Sequence, residues 1–494
     1  MSAETMSPEM APAASVPIDQ STAARNRLVI ALLLASTFVV FLNETIMSVA
    51  IPRLMIDLGV TAGAAQWLTT AFLLTMAVVI PITGFLLQRI NTRPIYILAM
   101  SIFSAGTLVC ALSPGLELLV LGRVVQATGT AIMMPLLMTT VMQLVPPEGR
   151  GKTMGNISIV MSVAPAIGPT IAGLILTYLD WRWMFILVLP IALGALALGA
   201  RLMQNVSTPR YAPLDVVSVI LSALAFGGLV YGLSALGESA VHEQAIPAWV
   251  PIAIGLVTMA VFVFRQLALQ KKDSALLDLR TFKSGNYTVS ILTMAAAMMS
   301  LFGMIILLPI YLQNVVGIDT LQTGLLLLPG SLMMGLLGPI VGRLYDRVGT
   351  RPLLVPGTIL VSLVMWALTL VDQSTSVWAI LAGHIVMCLG LALAFTPLFT
   401  ASLSSLPMQL YSHGSALLGS VQQVAGAAGV ALFVAVMTLQ SAAAAAGGAD
   451  AIAALTTGIR SGFFCGAVIS VLAIVAGIFV KKPPANPEMA GMGH

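Results

Sequence analysis

Charge is scarce in this chain: only 8% of its 494 residues are Asp, Glu, Lys or Arg. A water-soluble domain carries roughly a quarter, so a soluble fold is excluded. Cysteine is scarcer. Cys110, Cys388 and Cys465 each fall inside an apolar run, without CxxC or Cys/His spacing, which excludes a disulfide framework and a zinc site. The chain has no HExxH, no paired-acid or Ser/His constellation and no Walker motif, so neither an enzyme, an ATP-driven pump nor any cofactor is expected. The first 24 residues lack an apolar core and a basic flank, and are expected to form a disordered tail, not a cleaved signal. A net charge of +4 gives no reason to expect nucleic acid as a partner.

Apolar residues are abundant, at 59%, and mean hydropathy is +1.02. The apolar runs are about 20 residues or longer, the length of membrane-crossing helices, and are not the alternating segments of roughly ten residues found in barrels. Fourteen spans are expected, near 28–51, 66–87, 95–113, 116–142, 153–178, 183–204, 214–236, 248–269, 286–313, 321–341, 353–371, 377–405, 412–439 and 460–480. With an inside N-terminus, eighteen of the 22 basic residues fall on inner loops and only Arg53, Arg182 and Arg460 on outer ones. That asymmetry predicts both termini on the cytoplasmic side of the inner membrane. The remaining basic residue, Arg123, lies within a span.

Two inner loops repeat each other. Gly84–Pro94 reads GFLLQRINTRP and Gly342–Pro352 reads GRLYDRVGTRP, and both follow the second span of a six-span block. The chain thus divides into a tail (1–27), a six-helix bundle (28–204), two inserted helices with a loop (205–285), a second bundle (286–480) and a tail (481–494). Paired halves around a midplane cavity are a plan of secondary transporters.

Four stretches resemble the major facilitator superfamily, and within it the fourteen-span drug:proton antiporters. They are the paired loops, the span-4 run Leu121–Gly129 (LGRVVQATG), and the span-5 series of Gly155, Ala164, Gly168, Pro169, Ala172 and Gly173. The fourth is the span-1 run Leu42–Pro52 (LNETIMSVAIP). The last is similar to the branch that includes lincosamide and multidrug exporters. The resemblance implies an all-helical fold, small-molecule and proton partners, and alternating access between the halves. It also implies a latch at the paired loops (Gly84, Arg89 and Arg93; Gly342, Asp346, Arg347, Gly349 and Arg351) and an antiporter motif in span 5 (Gly155, Pro165, Gly168, Pro169, Gly173). Asn43 stands where the family has an Asp, while the acid is Glu44, turned about 100° around the helix. Gln88 and Asn91 replace the loop's Asp and Gly in its first copy, which predicts a weaker latch there.

Glu44 is the residue that most needs an explanation, because an acid at membrane depth is costly without a use. It lies about seven residues below the outer end of span 1, as Arg123 does in span 4, so the two are expected at one depth. Glu44 is expected to carry the exchanged proton, with Arg123 holding or tuning it; a purely structural ion pair is the competing reading. Asn43, Trp67, Thr70, Gln126, Thr130, Met298, Met299, Gln422 and Gln423 are expected along the substrate cavity, although Met in a membrane protein more often packs or faces lipid. His384 is a possible relay, more simply a hydrogen-bonded core histidine. The span-5 small residues are expected to form one close helix contact, kinked by Pro165 and Pro169. The function expected is proton-coupled efflux of lipophilic or cationic drugs by a monomer. The alternatives are an exporter or importer of one metabolite, siderophore or antibiotic, and a transporter-like sensor that moves nothing.

Overall fold

The computed structural model describes residues 20–60, 62–207, 209, 214–239 and 247–483. Most of the expected N-terminal tail (1–19), Arg210 and residues 484–494 lie outside the described residues. Among the described residues, fourteen helices are long and apolar enough to span a membrane. They are α1 (Gln20–Leu58), α2 (Ala62–Arg89), α3 (Thr92–Ala111), α4 (Leu116–Leu144), α5 (Arg150–Tyr178), α6 (Trp183–Leu202) and α7 (Val216–Ser239). The second set is α8 (Trp249–Leu269), α9 (Gly285–Asn314), α10 (Thr320–Val348), α11 (Arg351–Leu368), α12 (Val377–Ser404), α13 (Tyr411–Ala446) and α14 (Ala451–Phe479). Several helix ends differ from the expected spans, and α1 and α10 run on to Leu58 and Val348, past the expected ends near 51 and 341. Helix α1 begins at Gln20 instead of near 28, because the polar stretch before Leu28 contains no Pro or Gly to stop it. Helices α13 and α14 run through the alanine-rich tract expected to lie between spans. Alanine has the highest helix propensity, and Gly458 lets the two helices close on each other at Met437 and Ser441.

The repeat seen in two loops extends through both bundles. In the first, α1 packs on α5, α2 on α4, and α3 on α4 and α6; α9–α14 repeat these pairings. Matched glycines sit at matched contacts. Gly129 of α4 lies on Ala99 and Phe103 of α3, and Gly390 of α12 lies on Gly357 and Val361 of α11. Gly168 of α5 meets Thr45 of α1, and Gly429 of α13 meets Met299 of α9. The halves touch through α5 with α10 and α12, and through α13 with α2 and α4. Helices α7 and α8 pair with each other, and α7 lies along both α2 and α13.

The inserted pair is clamped where it joins the bundles. Arg265 donates to both Asp215 oxygens at 2.7 and 2.8 Å, and buried Gln266 binds Ser218 and the amides of Leu276 and Leu277. Leu276 and Leu277 in turn pack with Ala77 and Phe85 of α2 and Ala416 and Leu417 of α13. The Arg265 hydrogen bond holds the Asp215 carboxyl down at about 2. Its contribution is therefore complete above the ordinary carboxylate value of about 4 and is lost as pH falls through about 2. Asp215→Asn should lower the melting temperature in detergent at neutral pH by about one to three degrees, since Arg265 is partly solvent-screened. Melting curves of variant and wild type should converge on acidification from pH 4 to 2.

Candidate functional site

Four helices of the first bundle converge on Arg123, which is 1% exposed. Its Nη1 donates to Gln126 Oε1 at 2.6 Å and Asn43 Oδ1 at 3.3 Å, and its Nε to the Leu68 carbonyl at 3.5 Å. The guanidinium lies 4.0 Å over the Phe72 ring. Gln126 passes the network on, donating from Nε2 to Thr107 Oγ1 at 2.8 Å. Helix α3 comes this close because Gly106 has no side chain to strike the Gln126 backbone. Every hydrogen-bond acceptor here is neutral.

Glu44 makes no direct ion pair with Arg123, so the expectation that Arg123 holds its carboxylate is corrected. Asn43, one residue earlier, takes the face of α1 toward α4, and Thr45, one residue later, turns to α5, donating to Ala164 O at 3.4 Å. Glu44 lies between these faces, half-buried, and its Oε2 is enclosed without a hydrogen-bond partner among the described residues. The charges of Glu44 and Arg123 remain near enough to act on each other. A buried cation with neutral ligands beside an unpartnered acid is an arrangement in which a proton can change the local balance of charge.

The other expected cavity residues separate. Gln126 and Thr130 are fully buried, with Thr130 Oγ1 donating back to the Gln126 carbonyl. Thr70, Gln422 and Gln423 are half-buried on α2 and α13. Trp67 is 44% exposed and stacks on Tyr231 of inserted helix α7, with ring centroids 6.0 Å apart. Met298 is buried in the apolar core, and Met299 is packed against that core. His384 is 7% exposed in α12.

At the end that carries the basic loops, Asp346 reaches across the halves. Its Oδ1 accepts from the Gly151 amide at 2.8 Å and its Oδ2 from the Lys152 amide at 2.9 Å, the first free donors of α5. A carboxylate there meets both unsatisfied N–H groups and the positive end of the helix dipole. Its basic neighbour is Lys482, whose Nζ donates to the Asp346 carbonyl, while Arg347 and Arg351 are exposed. Gly349 ends α10 at φ +85°, a conformation suited to glycine; Asn91, its counterpart, has φ −61° and needs none. In the first copy Gln88 makes one neutral bond, Nε2 to the Gln409 carbonyl at 3.1 Å, and Gly84 lies on Ala416 and Ser412 of α13. Arg89 lies over its neighbour Phe85, and Arg93 caps the end of α6 at the Ala200 carbonyl, within its own half.

Helix α5 makes two contacts where one was expected. Gly155 lies against Gly338 of α10, and Gly151 against Gly342, whereas Gly168 faces α1. Thirteen residues separate Gly155 and Gly168, which at 100° per residue puts them on different faces. A Cβ on Gly173 would meet open space, so it makes no close contact between helices of the described residues; Pro165 is half-buried, and the Pro169 ring lies outside the described residues.

Arg150 was marked in the sequence only as an inner-loop charge. It is 2% exposed and donates to the Val145 and Met142 carbonyls that end α4, and to Ser404 of α12. Its guanidinium also lies 5.6 Å from the Tyr411 ring, and these two residues open α5 and α13. The one available signal was its place directly after Pro-Pro-Glu-Gly, at a helix start. Thr139 with Ser415 and Ser158 with Thr396 complete the bonds between halves on this end.

Comparison with known proteins agrees with this architecture. The profile of the Major Facilitator Superfamily matches residues 33–430. The chain is 38% identical to the uncharacterized MFS-type transporter YcnB of Bacillus subtilis (94% of this chain, 97% of that one). It is also 38% identical to the lincomycin resistance protein LmrB of Listeria monocytogenes (92% and 96%). A multidrug resistance protein B homolog of Mycobacterium tuberculosis is 29% identical (81% and 74%). Among solved structures, the proton:xylose symporter XylE shares the fold with TM-score 0.66 at 13% identity, over 96% of this chain and all of that one. Sequence and fold together therefore make this chain a member of the major facilitator superfamily, a multi-pass membrane transporter and not an enzyme.

Proposed function

We propose that the protein exports lipophilic or cationic drugs across the cytoplasmic membrane in exchange for protons, with Glu44 as the proton carrier. The observation that carries this reading is the enclosed, unpartnered carboxyl of Glu44 beside an Arg123 bound only to neutral acceptors. Ionised, the carboxylate balances the guanidinium; protonated, it leaves the site one charge more positive. A lipophilic cation and a proton would thus compete for the same carboxylate. The relatives named for lincomycin and multidrug resistance support this substrate class.

The basic end faces the cytoplasm in this reading, by the distribution of Lys and Arg. Asp346, Gln88, Arg150 and the α5–α10 glycines close that end, so the conformation is the outward-facing side of the cycle. One proton moving inward with a potential of 100 mV supplies about 2.3 kcal/mol, enough for a useful gradient of a neutral substrate.

The test uses acid-loaded proteoliposomes with lincomycin and tetraphenylphosphonium as probes. Wild type should release protons as probe is added and should concentrate it. Glu44→Gln should bind the cationic probe more weakly and, even at saturating probe, lose coupled flux by about tenfold or more. A Glu44→Gln protein that still concentrates probe against a gradient overturns the assignment.

A further inference from the structure

The repeat places a second titratable group in the second bundle at the position of Arg123. Arg123 is the eighth residue of α4 and His384 the eighth of α12. Their surroundings match, GRVVQATG at Gly122–Gly129 and GHIVMCLG at Gly383–Gly390, and the last glycine of each packs on the equivalent neighbour helix, α3 or α11. The opposing residue matches too. Arg123 lies over Phe72 of α2; His384 lies over Gly330 of α10. Phe72 and Gly330 each stand nine residues before the matched prolines Pro81 and Pro339. Where the first bundle has a ring, the second has a notch, and the imidazole fills it so fully that a Cβ on Gly330 would overlap its Nδ1.

That Nδ1 has no hydrogen-bond partner among the described residues, although His384 is only 7% exposed. The other nitrogen, Nε2, lies 3.7 Å from Cys388 Sγ, a weak contact. No charged group among the described residues acts on the ring. The helices against α12 keep their charges at the basic end: Arg150 and Lys152 on α5, Arg343, Asp346 and Arg347 on α10, and Arg351 on α11. Helix α9 offers only its terminal tyrosines, Tyr287 and Tyr311, and α13 only Tyr411 and His413 near its start.

We infer that His384 is a second proton site, empty in this conformation and filled in the one that admits water between α10 and α12. A proton on Nδ1 in the present packing would find no acceptor among the described residues, because the ring is pressed against Gly330, whereas in a hydrated notch water would accept it. A ligand that binds one conformation better than the other shifts their balance. A proton bound in one state only therefore couples this half of the transporter to pH. The inference rests on the proton-exchange reading and adds a second site to it.

The experiment counts protons released when saturating lincomycin or tetraphenylphosphonium binds the full-length protein in detergent, between about pH 5 and 8. In the acidic part of that range wild type should release about two protons per protein, and each single variant, His384→Asn or Glu44→Gln, about half as many. A His384→Asn count that overlays wild type at every pH overturns the second site and leaves Glu44 standing. Should the Asn variant fail to fold, wild type decides alone: a count that never exceeds about one proton overturns the inference. No release with either probe overturns both readings.

Discussion

Arg123→Leu should lower coupled drug flux by about tenfold or more, and Arg123→Lys by nearly as much. The leucine leaves Gln126 Oε1 and Asn43 Oδ1 without their shared donor and removes a second bond from the Leu68 carbonyl, which keeps its place in the α2 ladder. Each buried acceptor stranded in this way costs about 1–3 kcal/mol. Lysine keeps the charge but has a compact ammonium, which cannot span three acceptors and lie flat over Phe72 as a guanidinium does. The measurement is drug-driven proton flux from acid-loaded vesicles, together with the melting temperature in detergent. If Arg123 served packing alone, Arg123→Lys would melt lower yet keep wild-type pH dependence and coupling. The electrostatic influence of Arg123 on Glu44 predicts instead that the pH profile moves, and that Arg123→Leu with Glu44→Gln costs less than the sum of the two.

The second large effect concerns closure of the basic end. Gly155→Val should reduce flux by at least about tenfold, with Gly155→Ala intermediate, because any Cβ at 155 overlaps the Gly338 carbonyl of α10. Overpacking of this kind costs about 1–3 kcal/mol, and each 1.4 kcal/mol is a factor of ten in an equilibrium. The strain exists only while α5 and α10 are in contact, so it disfavours the closed state and spares the open one. Distances between spin labels on the basic loops of the two halves should lengthen in Gly155→Val. Gly173→Val is the control: a Cβ there would meet no neighbouring helix within 4 Å, so flux and label distances should stay close to wild type. Equal damage from both variants would mean that α5 needs glycine for a reason other than this seam.

These predictions draw on two kinds of information. Composition and pattern alone determined a fourteen-span helical membrane protein in two related halves, because bilayer thickness and the cost of unpaired backbone groups leave a long apolar run no other fold. The family resemblance supplied the expectation of a latch at Asp346, and one dimension was enough to find the repeat, and Glu44 and Arg123 as the embedded charges of the first half. It could not assign their partners. Asn43 and Glu44 differ by one residue and so by about 100°, and only the packing of α1 between α4 and α5 decided that the amide meets Arg123 while the acid is left unpartnered. The same holds for α5, whose small residues read as one stripe but divide between α10 and α1. Arg150 became a buried bridge between the halves, and Trp67 a partner of Tyr231, only through neighbours far away in the chain. Hydrophobicity sets which segments cross the membrane; which face of each crossing segment meets which neighbour is settled by side-chain volume and hydrogen bonding in three dimensions.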